Sequence, residues 1–302
     1  MAPQPVAPMS RPLVDEPLAE SAPIARRLAR EHCRKHPATG EDCAWYHGFW
    51  QYMRALGVAK VSGGHAQFLV EALRSAARSG RCPRVLVSGS ADYSMPAHVL
   101  WAYRTEGAAL ELGVVDLCGT PIALTHWYAA RVGARVAGFV SDIVTFESAQ
   151  PYDVVMTNSF LGYFDLPARA RLFDRWARLL RPGGKLVITN RIRPGAGYEP
   201  VGFTAEQAQV LRDAVRREAG QWRGRPALDP EEVARWADAY SVRFRSVPVR
   251  SAAEVLELLR DHGFRVDRCD SAAAAGRSQG GAVSGPTTAE AADYVRVVAT
   301  RE

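Results

Sequence analysis

Four short stretches in the middle of the chain carry residue types and spacings suited to holding a nucleoside that bears an anionic group. The first is Ser88-Gly89-Ser90-Ala91-Asp92, which follows the apolar run Val85-Leu86-Val87. A glycine directly after a buried strand allows a tight turn and close backbone approach to a ligand, whose anionic group can rest at the start of the next helix. Ser94 and Pro96 suit that helix start. The second stretch ends in Asp116, where a carboxylate can accept both hydroxyls of a ribose, or else cap the helix that opens near Thr120. The third is Ser141-Asp142-Ile143: the aspartate can accept from an adenine amino group while Ile143 packs on the ring, and the alternative is an ordinary turn aspartate. The fourth, Asn158-Ser159-Phe160 followed by Gly162-Tyr163, stands where a substrate would meet such a ligand.

Groups that could take a proton are His47, His126 and Asp165, none with a sequence partner that singles it out. Between Trp45 and Tyr52 lies a cluster of rings, including Tyr46, His47, Phe49 and Trp50. Tyr46 and Trp50, joined by Tyr163, could form an aromatic wall for a cationic or aromatic substrate, or could cement helices to a sheet. Arg191 and Arg193 could meet a substrate carboxylate, or be solvated loop charges.

The elements that must position these groups follow from periodicity. Ile24 to Ser79 reads as helical, with apolar residues at helical spacing. After Cys82-Pro83 the period changes to short apolar runs: strands are expected at 85–87, 110–116, 135–141, 152–157, 185–189, 264–268 and 294–299. Helices are expected between them, one over 120–132 with Thr120 as cap and Pro121 in its first position. Another runs over 167–180, closed by Arg181-Pro182-Gly183-Gly184. Two further helical segments, about 204–219 and 230–245, interrupt the alternation before a helix at 251–262. The stretch 271–288, rich in Ala, Gly and Ser, reads as a mobile loop. Alternating strands and helices predict a parallel sheet covered on both faces.

Composition narrows the partners. With 302 residues and 47% hydrophobic content, the chain can bury a sizeable core. No apolar run approaches the roughly 18–20 residues that span a bilayer, and the Pro/Ala-rich start has no signal-peptide core. The expected location is therefore cytoplasmic, with no membrane partner. The net charge of +6 is spread along the chain rather than gathered into a basic stripe, so nucleic acid is disfavoured as a partner. The five cysteines are odd in number and scattered. Cys33 and Cys43 lie near His32, His36 and His47, but no pair has the C-x-x-C or H-x-x-x-H spacing of common zinc sites, and no metal is expected. A homodimer is compatible with the sequence, which does not fix the oligomeric state.

Taken together, these stretches resemble the class I S-adenosylmethionine (SAM)-dependent methyltransferases, in the form seen in bacterial enzymes that act on small molecules. The likeness covers roughly residues 81–302 and includes Arg181-Pro182-Gly183-Gly184-Lys185-Leu186 and Asp116-Leu117-Cys118-Gly119-Thr120-Pro121. It implies a doubly wound, Rossmann-like α/β fold with a seven-stranded, mainly parallel sheet and an antiparallel last strand. The Pro/Ala-rich residues 1–23 read as a disordered tail and 24–80 as an N-terminal helical cap, ahead of a SAM-binding catalytic domain over 81–302 with a helical insertion at about 198–250. The cofactor would be SAM: Gly89, Ser90 and Ala91 against its methionine part, Asp116 and Leu117 on the ribose and adenine, Asp142 and Ile143 on the adenine. Asn158 and Ser159 would lie near the sulfonium. Tyr46, Trp50, Tyr163 and Arg191 would shape the acceptor site, with Asn158, Tyr163 and His47 nearest the chemistry. The implied reaction is methyl transfer to N or O of a small-molecule acceptor, driven mainly by alignment. The first loop departs from the family, with one glycine where two or three are usual and Ser88 in place of an acidic residue. A folded but inactive partner subunit is the alternative that this loop allows. A nicotinamide-dependent oxidoreductase is disfavoured by the missing G-x-G-x-x-G.

Overall fold

A computed structural model describes residues 16–35, 40–59, 65–77, 82–273 and 293–302, leaving aside the side chains of Ala272 and Ala273. Val85, Leu86 and Val87 are wholly buried, as a strand covered on both faces must be. They form the centre of β1 (Arg84–Ser88), and β2 (Glu111–Asp116), β3 (Ala137–Val140), β4 (Tyr152–Asn158) and β5 (Leu180–Ile192) lie parallel with it. β7 (Asp293–Arg301) inserts antiparallel between β5 and β6 (Phe264–Ala273), giving the order β3-β2-β1-β4-β5-β7-β6 in a seven-stranded sheet. This is the sheet that the resemblance implies. Strand order reverses between β1 and β4, and in open α/β sheets that switch point opens a crevice at the carboxyl ends of the strands.

Helices cover both faces. On one side α3 (Ala66–Ala77), α4 (Ser94–Thr105) and α5 (Gly119–Arg131) share a core with Val85, Val87 and Val114. On the other, α6 (Leu166–Leu179) and α9 (Ala252–Asp261) bury Trp176, Phe173 and Leu259 against Leu86 and Val155. A third core, rich in rings, joins α2 (Ala44–Ala55) to α7 (Ala205–Gly220) and α8 (Pro230–Arg243) through Phe49, Trp50, Tyr240 and Phe244. α1 (Leu18–His32) packs along α2 and reaches α5.

Four boundaries differ from the sequence expectation, each for a local reason. α1 begins at Leu18 rather than near Ile24 and carries Pro23 inside it, so 18–23 is helical rather than tail; full burial of Ser21, Ala22 and Ala25 outweighs the hydrogen bond that proline forfeits. Residues 1–15 of the expected tail lie outside the described residues. α5 begins at Gly119, with Cys118 rather than Thr120 as its N-cap; the Cys118 sulfur accepts the Thr120 N–H at 3.4 Å. β5 starts at Leu180, so Arg181-Pro182-Gly183-Gly184 is an irregularity within the strand, with Gly183 at φ +74°. β6 runs on to Ala273 because Ser271, Ala272 and Ala273 pair with Val295, Tyr294 and Asp293; the rest of the expected mobile loop, 274–288, lies outside the described residues.

Two buried histidines, His98 and His65, make the fold sensitive to acid. Burial lowers His98 and His65 to about 4. Between pH 6.5 and 4 the unfolded chain therefore takes up protons that the folded chain refuses, and stability falls as pH falls. For His98, which has no exposed surface, the loss is on the order of 3 kcal/mol across that window. Urea denaturation at pH 7 and pH 5 is expected to show a smaller difference in His98→Gln than in the parent chain; an equal difference would remove His98 as its cause.

Candidate active site

The loop after β1 is shaped by Gly89, whose φ of +71° is costly for any other residue. Its N–H donates to the Val115 carbonyl at 2.9 Å, and a Cβ here would lie 2.3 Å from the Phe160 ring. The next N–H, of Ser90, donates to Asp116 Oδ2 at 3.0 Å, so the first loop and the end of β2 are tied together. Asp92, only 1% exposed, turns away from the crevice. Its Oδ1 accepts the Ser94 N–H at the start of α4, and its Oδ2 accepts from Trp50 Nε1 at 3.1 Å and Arg54 Nη1 at 2.8 Å. The carboxylate thus caps a helix and neutralises a buried guanidinium.

Above this loop lies a cavity of about 1160 Å³ at the carboxyl edge of the sheet. That volume exceeds the usual range for a single small-ligand site, roughly 300–1,000 Å³. Its lining includes Gly89, Ser90, Ala91, Asp116, Leu117, Asp142 and Ile143. Asp116 accepts the Cys118 N–H on Oδ1 at 2.8 Å, and burial pushes its carboxyl above the ordinary range. Asp142 accepts the Val144 N–H at 2.9 Å and Ile143 is buried beneath. Leu117 and Val140 line the cavity while 70% and 62% exposed. Apolar surface inside a cavity is surface that a flat, apolar-faced ligand would cover.

The same cavity is lined by Asn158, Ser159, Phe160, Tyr163, Arg191 and Arg193 from the sheet side, and by Tyr46, His47, Trp50 and His65 from the N-terminal segment. Ser159 holds φ at +52°, which among the described residues no other non-glycine does. Its N–H donates to the Thr189 carbonyl at 2.7 Å, and the Thr189 hydroxyl donates to Asn158 Oδ1. Such a conformation is sustained only where its surroundings fix it. Tyr46 stacks on Trp50 at 5.6 Å and meets Tyr163 edge-on, their hydroxyls 3.1 Å apart. Burial holds the Tyr46 phenol well above the ordinary tyrosine range, so it stays protonated at neutral pH. Burial, reinforced by the neighbouring Arg191, lowers the Arg193 guanidinium to about 10, still charged at neutral pH. Two cations side by side in a partly buried wall favour an anion. His65 accepts from Arg296 Nε on Nδ1 at 3.0 Å, which leaves its proton on Nε2.

The structure brings together Tyr46, Trp50, Tyr163, Arg191 and Arg193 with the four loop stretches. It leaves out two candidate bases. His126 is away from the cavity, on α5 beside Gly138, and Asp165 caps α6 by accepting the Ala168 N–H. His47 lines the cavity, yet its Nδ1 faces Cys33 Sγ at 3.6 Å rather than an acceptor. Sequence spacing does not disclose one convergence: Cys33, Cys43, His47 and Cys118 meet, with their ligand atoms all within 4.8 Å of one another. Spacing could not show this because Cys118 arrives from the loop after β2. Sequence reasoning missed His65, whereas Phe244, Ser246, Val247 and Pro248, just beyond α8, line the cavity from within the expected insertion at about 198–250, the segment expected to close the acceptor side.

No family model matches the sequence, and no curated protein matches it. Among solved structures, similarity is found to the magnesium protoporphyrin IX methyltransferase of Synechocystis PCC 6803 with bound SAH. Identity is 14%, covering 84% of this chain and 94% of that one, with a TM-score of 0.49. The N-methyltransferase NodS of Bradyrhizobium japonicum WM9 is 16% identical over 79% of this chain and 97% of its own, with a TM-score of 0.44. An O-methyltransferase family protein from Burkholderia thailandensis is 18% identical over 85% of this chain and 60% of that one, with a TM-score of 0.49. At that distance the weight falls on the chain's own crevice, one cavity lined both by the residues expected of a nucleoside site and by those expected of an acceptor site.

Proposed function

We infer that this chain is a SAM-dependent methyltransferase that methylates N or O of a small-molecule acceptor. The observation that carries this reading is the single crevice at the β1/β4 switch point, on which Gly89, Asp116, Asp142-Ile143 and Asn158-Ser159 all open. The residues present suit the cofactor: Asp116 for the ribose hydroxyls, Leu117, Val140 and Ile143 for an apolar ring face, and Gly89 to Ala91 for the methionine part. SAM would supply an activated methyl group, leaving the protein to align the acceptor and exclude water.

On the acceptor side, Tyr46, Trp50 and Tyr163 suit a ring, and Arg191 and Arg193 suit a carboxylate or other anion. None of these groups is a free base at neutral pH, which favours an acceptor atom that is itself nucleophilic, such as a neutral amine or an already ionised oxygen. Calorimetric titration with SAM and SAH is the direct test, and one site per chain is expected. Asp116→Asn is expected to weaken binding at least about tenfold, since it removes a charge-assisted pair of hydrogen bonds. No binding to the parent chain would remove the enzyme reading and leave that of a folded, inactive partner subunit.

A further inference from the structure

A second cluster of reactive side chains adjoins the crevice. Cys33 follows the last turn of α1, Cys43 caps α2, His47 lies one turn into α2, and Cys118 caps α5 immediately after Asp116-Leu117. Three separate elements therefore deliver four donor atoms to one point. Cys33 Sγ is 3.6 Å from Cys118 Sγ and 3.6 Å from His47 Nδ1, and Cys43 Sγ is 3.5 Å from Cys118 Sγ. With metal bonds of about 2.3 Å to sulfur and 2.0–2.1 Å to nitrogen, a regular tetrahedron sets sulfurs about 3.8 Å apart and sulfur to nitrogen about 3.5–3.6 Å apart. The observed edges lie close to those of such a figure. A disulfide needs its sulfurs at about 2.05 Å and would use only two of the three thiols. The Thr120 hydroxyl is 3.1 Å from Cys33 Sγ, placed to donate to it as outer hydrogen-bond partners of thiolate ligands do.

We propose that Cys33, Cys43, His47 and Cys118 bind one zinc ion in a closed, tetrahedral, structural site that fastens the N-terminal helices to the loop carrying Asp116. Three thiolates and one imidazole are a donor set for zinc rather than for magnesium or calcium, which take oxygen ligands. Four protein ligands leave no open position for water or substrate, so the ion holds structure rather than performing catalysis. Binding displaces the three thiol protons to solvent and leaves the site, with neutral His47, carrying one negative charge. Two features of the crevice depend on this clasp. Tyr46 immediately precedes a ligand and Leu117 immediately precedes another, so the metal sets the distance between the acceptor wall and the nucleoside end. It also commits His47 to the ion rather than to proton transfer.

The test uses the full chain without an affinity tag, purified without chelator, and metal content measured by inductively coupled plasma mass spectrometry. One zinc per chain is expected. After removal with a chelator, titration with Co²⁺ is expected to give the intense visible bands of a tetrahedral site and near-ultraviolet thiolate-to-cobalt bands that saturate at one equivalent. Cys118→Ala should lower the thiolate band by about a third or abolish it, and the double variant Cys82→Ser/Cys269→Ser, which alters exposed thiols outside the cluster, should leave it unchanged. Should Cys118→Ala fail to fold, the cobalt spectrum of the parent chain and the double variant decide the matter. Less than stoichiometric metal, no tetrahedral cobalt spectrum, a disulfide among Cys33, Cys43 and Cys118, or metal persisting when all four ligands are replaced would each overturn the proposal. None of these readouts requires SAM to bind, so the zinc site and the methyltransferase reading fail independently.

Discussion

Gly89→Val is expected to abolish cofactor binding while leaving a folded chain. A β-branched residue at φ +71° is a backbone outlier, and left-handed geometry costs an ordinary L-residue roughly 1–2 kcal/mol. The added Cβ would also fall 2.3 Å from Phe160 Cε2, well inside contact distance. Two relaxations are open. The loop can flatten, which pulls the Ser90 N–H off Asp116, or the Phe160 ring can swing into the cavity that it lines. Both remove what a bound nucleoside would use. The expected result is a loss of SAH affinity of about 100-fold or more, equivalent to about 2.7 kcal/mol, with a smaller loss of stability, about 1–2 kcal/mol. Adding Phe160→Ala to this variant should recover part of the affinity, because the ring no longer needs the space. Calorimetry on the two variants, with circular dichroism as a check on folding, separates the cases: undiminished SAH binding in Gly89→Val would mean that the cofactor does not rest on this loop.

That result bears on what the sequence could disclose. The sheet was legible because buried parallel strands write continuous apolar runs, and the glycine and acidic residues at their carboxyl ends recur in chain order. Crevice residues borne on those strand ends were legible for the same reason: Asp116, Asp142 and Asn158 are fixed by strand position alone. Asp92 was not. Its place in the loop allows it to face a ligand, and only the tertiary arrival of Arg54 and Trp50 from α2 shows that it is spent on a buried pair. The thiol cluster escaped for a related reason, since Cys33 and Cys118 are far apart in sequence and meet only because α1 lies against α5. His65 was invisible because its partners, Arg296 and Tyr294, belong to the last strand. Periodicity reads elements and their ends; convergence of distant loops is a property of packing.

The buried charges beside the first loop give the largest expected effect on stability. Arg54 is 4% exposed in its side chain and pairs on one side with Asp92 and on the other with Glu16, itself mostly buried. Arg54→Met keeps much of the stem volume but leaves two carboxylates without their counter-charge. Breaking a buried pair from one side costs about 3–5 kcal/mol, and the loss here should reach that range at pH 8 by urea denaturation. Burial already holds Glu16 above the ordinary carboxylate range, against the pull of Arg54, and removing that pull raises it further. A carboxyl whose folded pKa exceeds its unfolded value favours the folded state when protonated, so the deficit of Arg54→Met should shrink as pH falls from 8 towards 5. Asp92→Asn should cost less, because Glu16 still neutralises Arg54 and the amide oxygen can still accept from Trp50. The two variants also differ optically. Trp50 donates to Asp92, so its fluorescence should change with Asp92→Asn even where stability barely does. A deficit in Arg54→Met that is small, or that widens on acidification, would mean that the guanidinium is held by packing rather than by its two carboxylates.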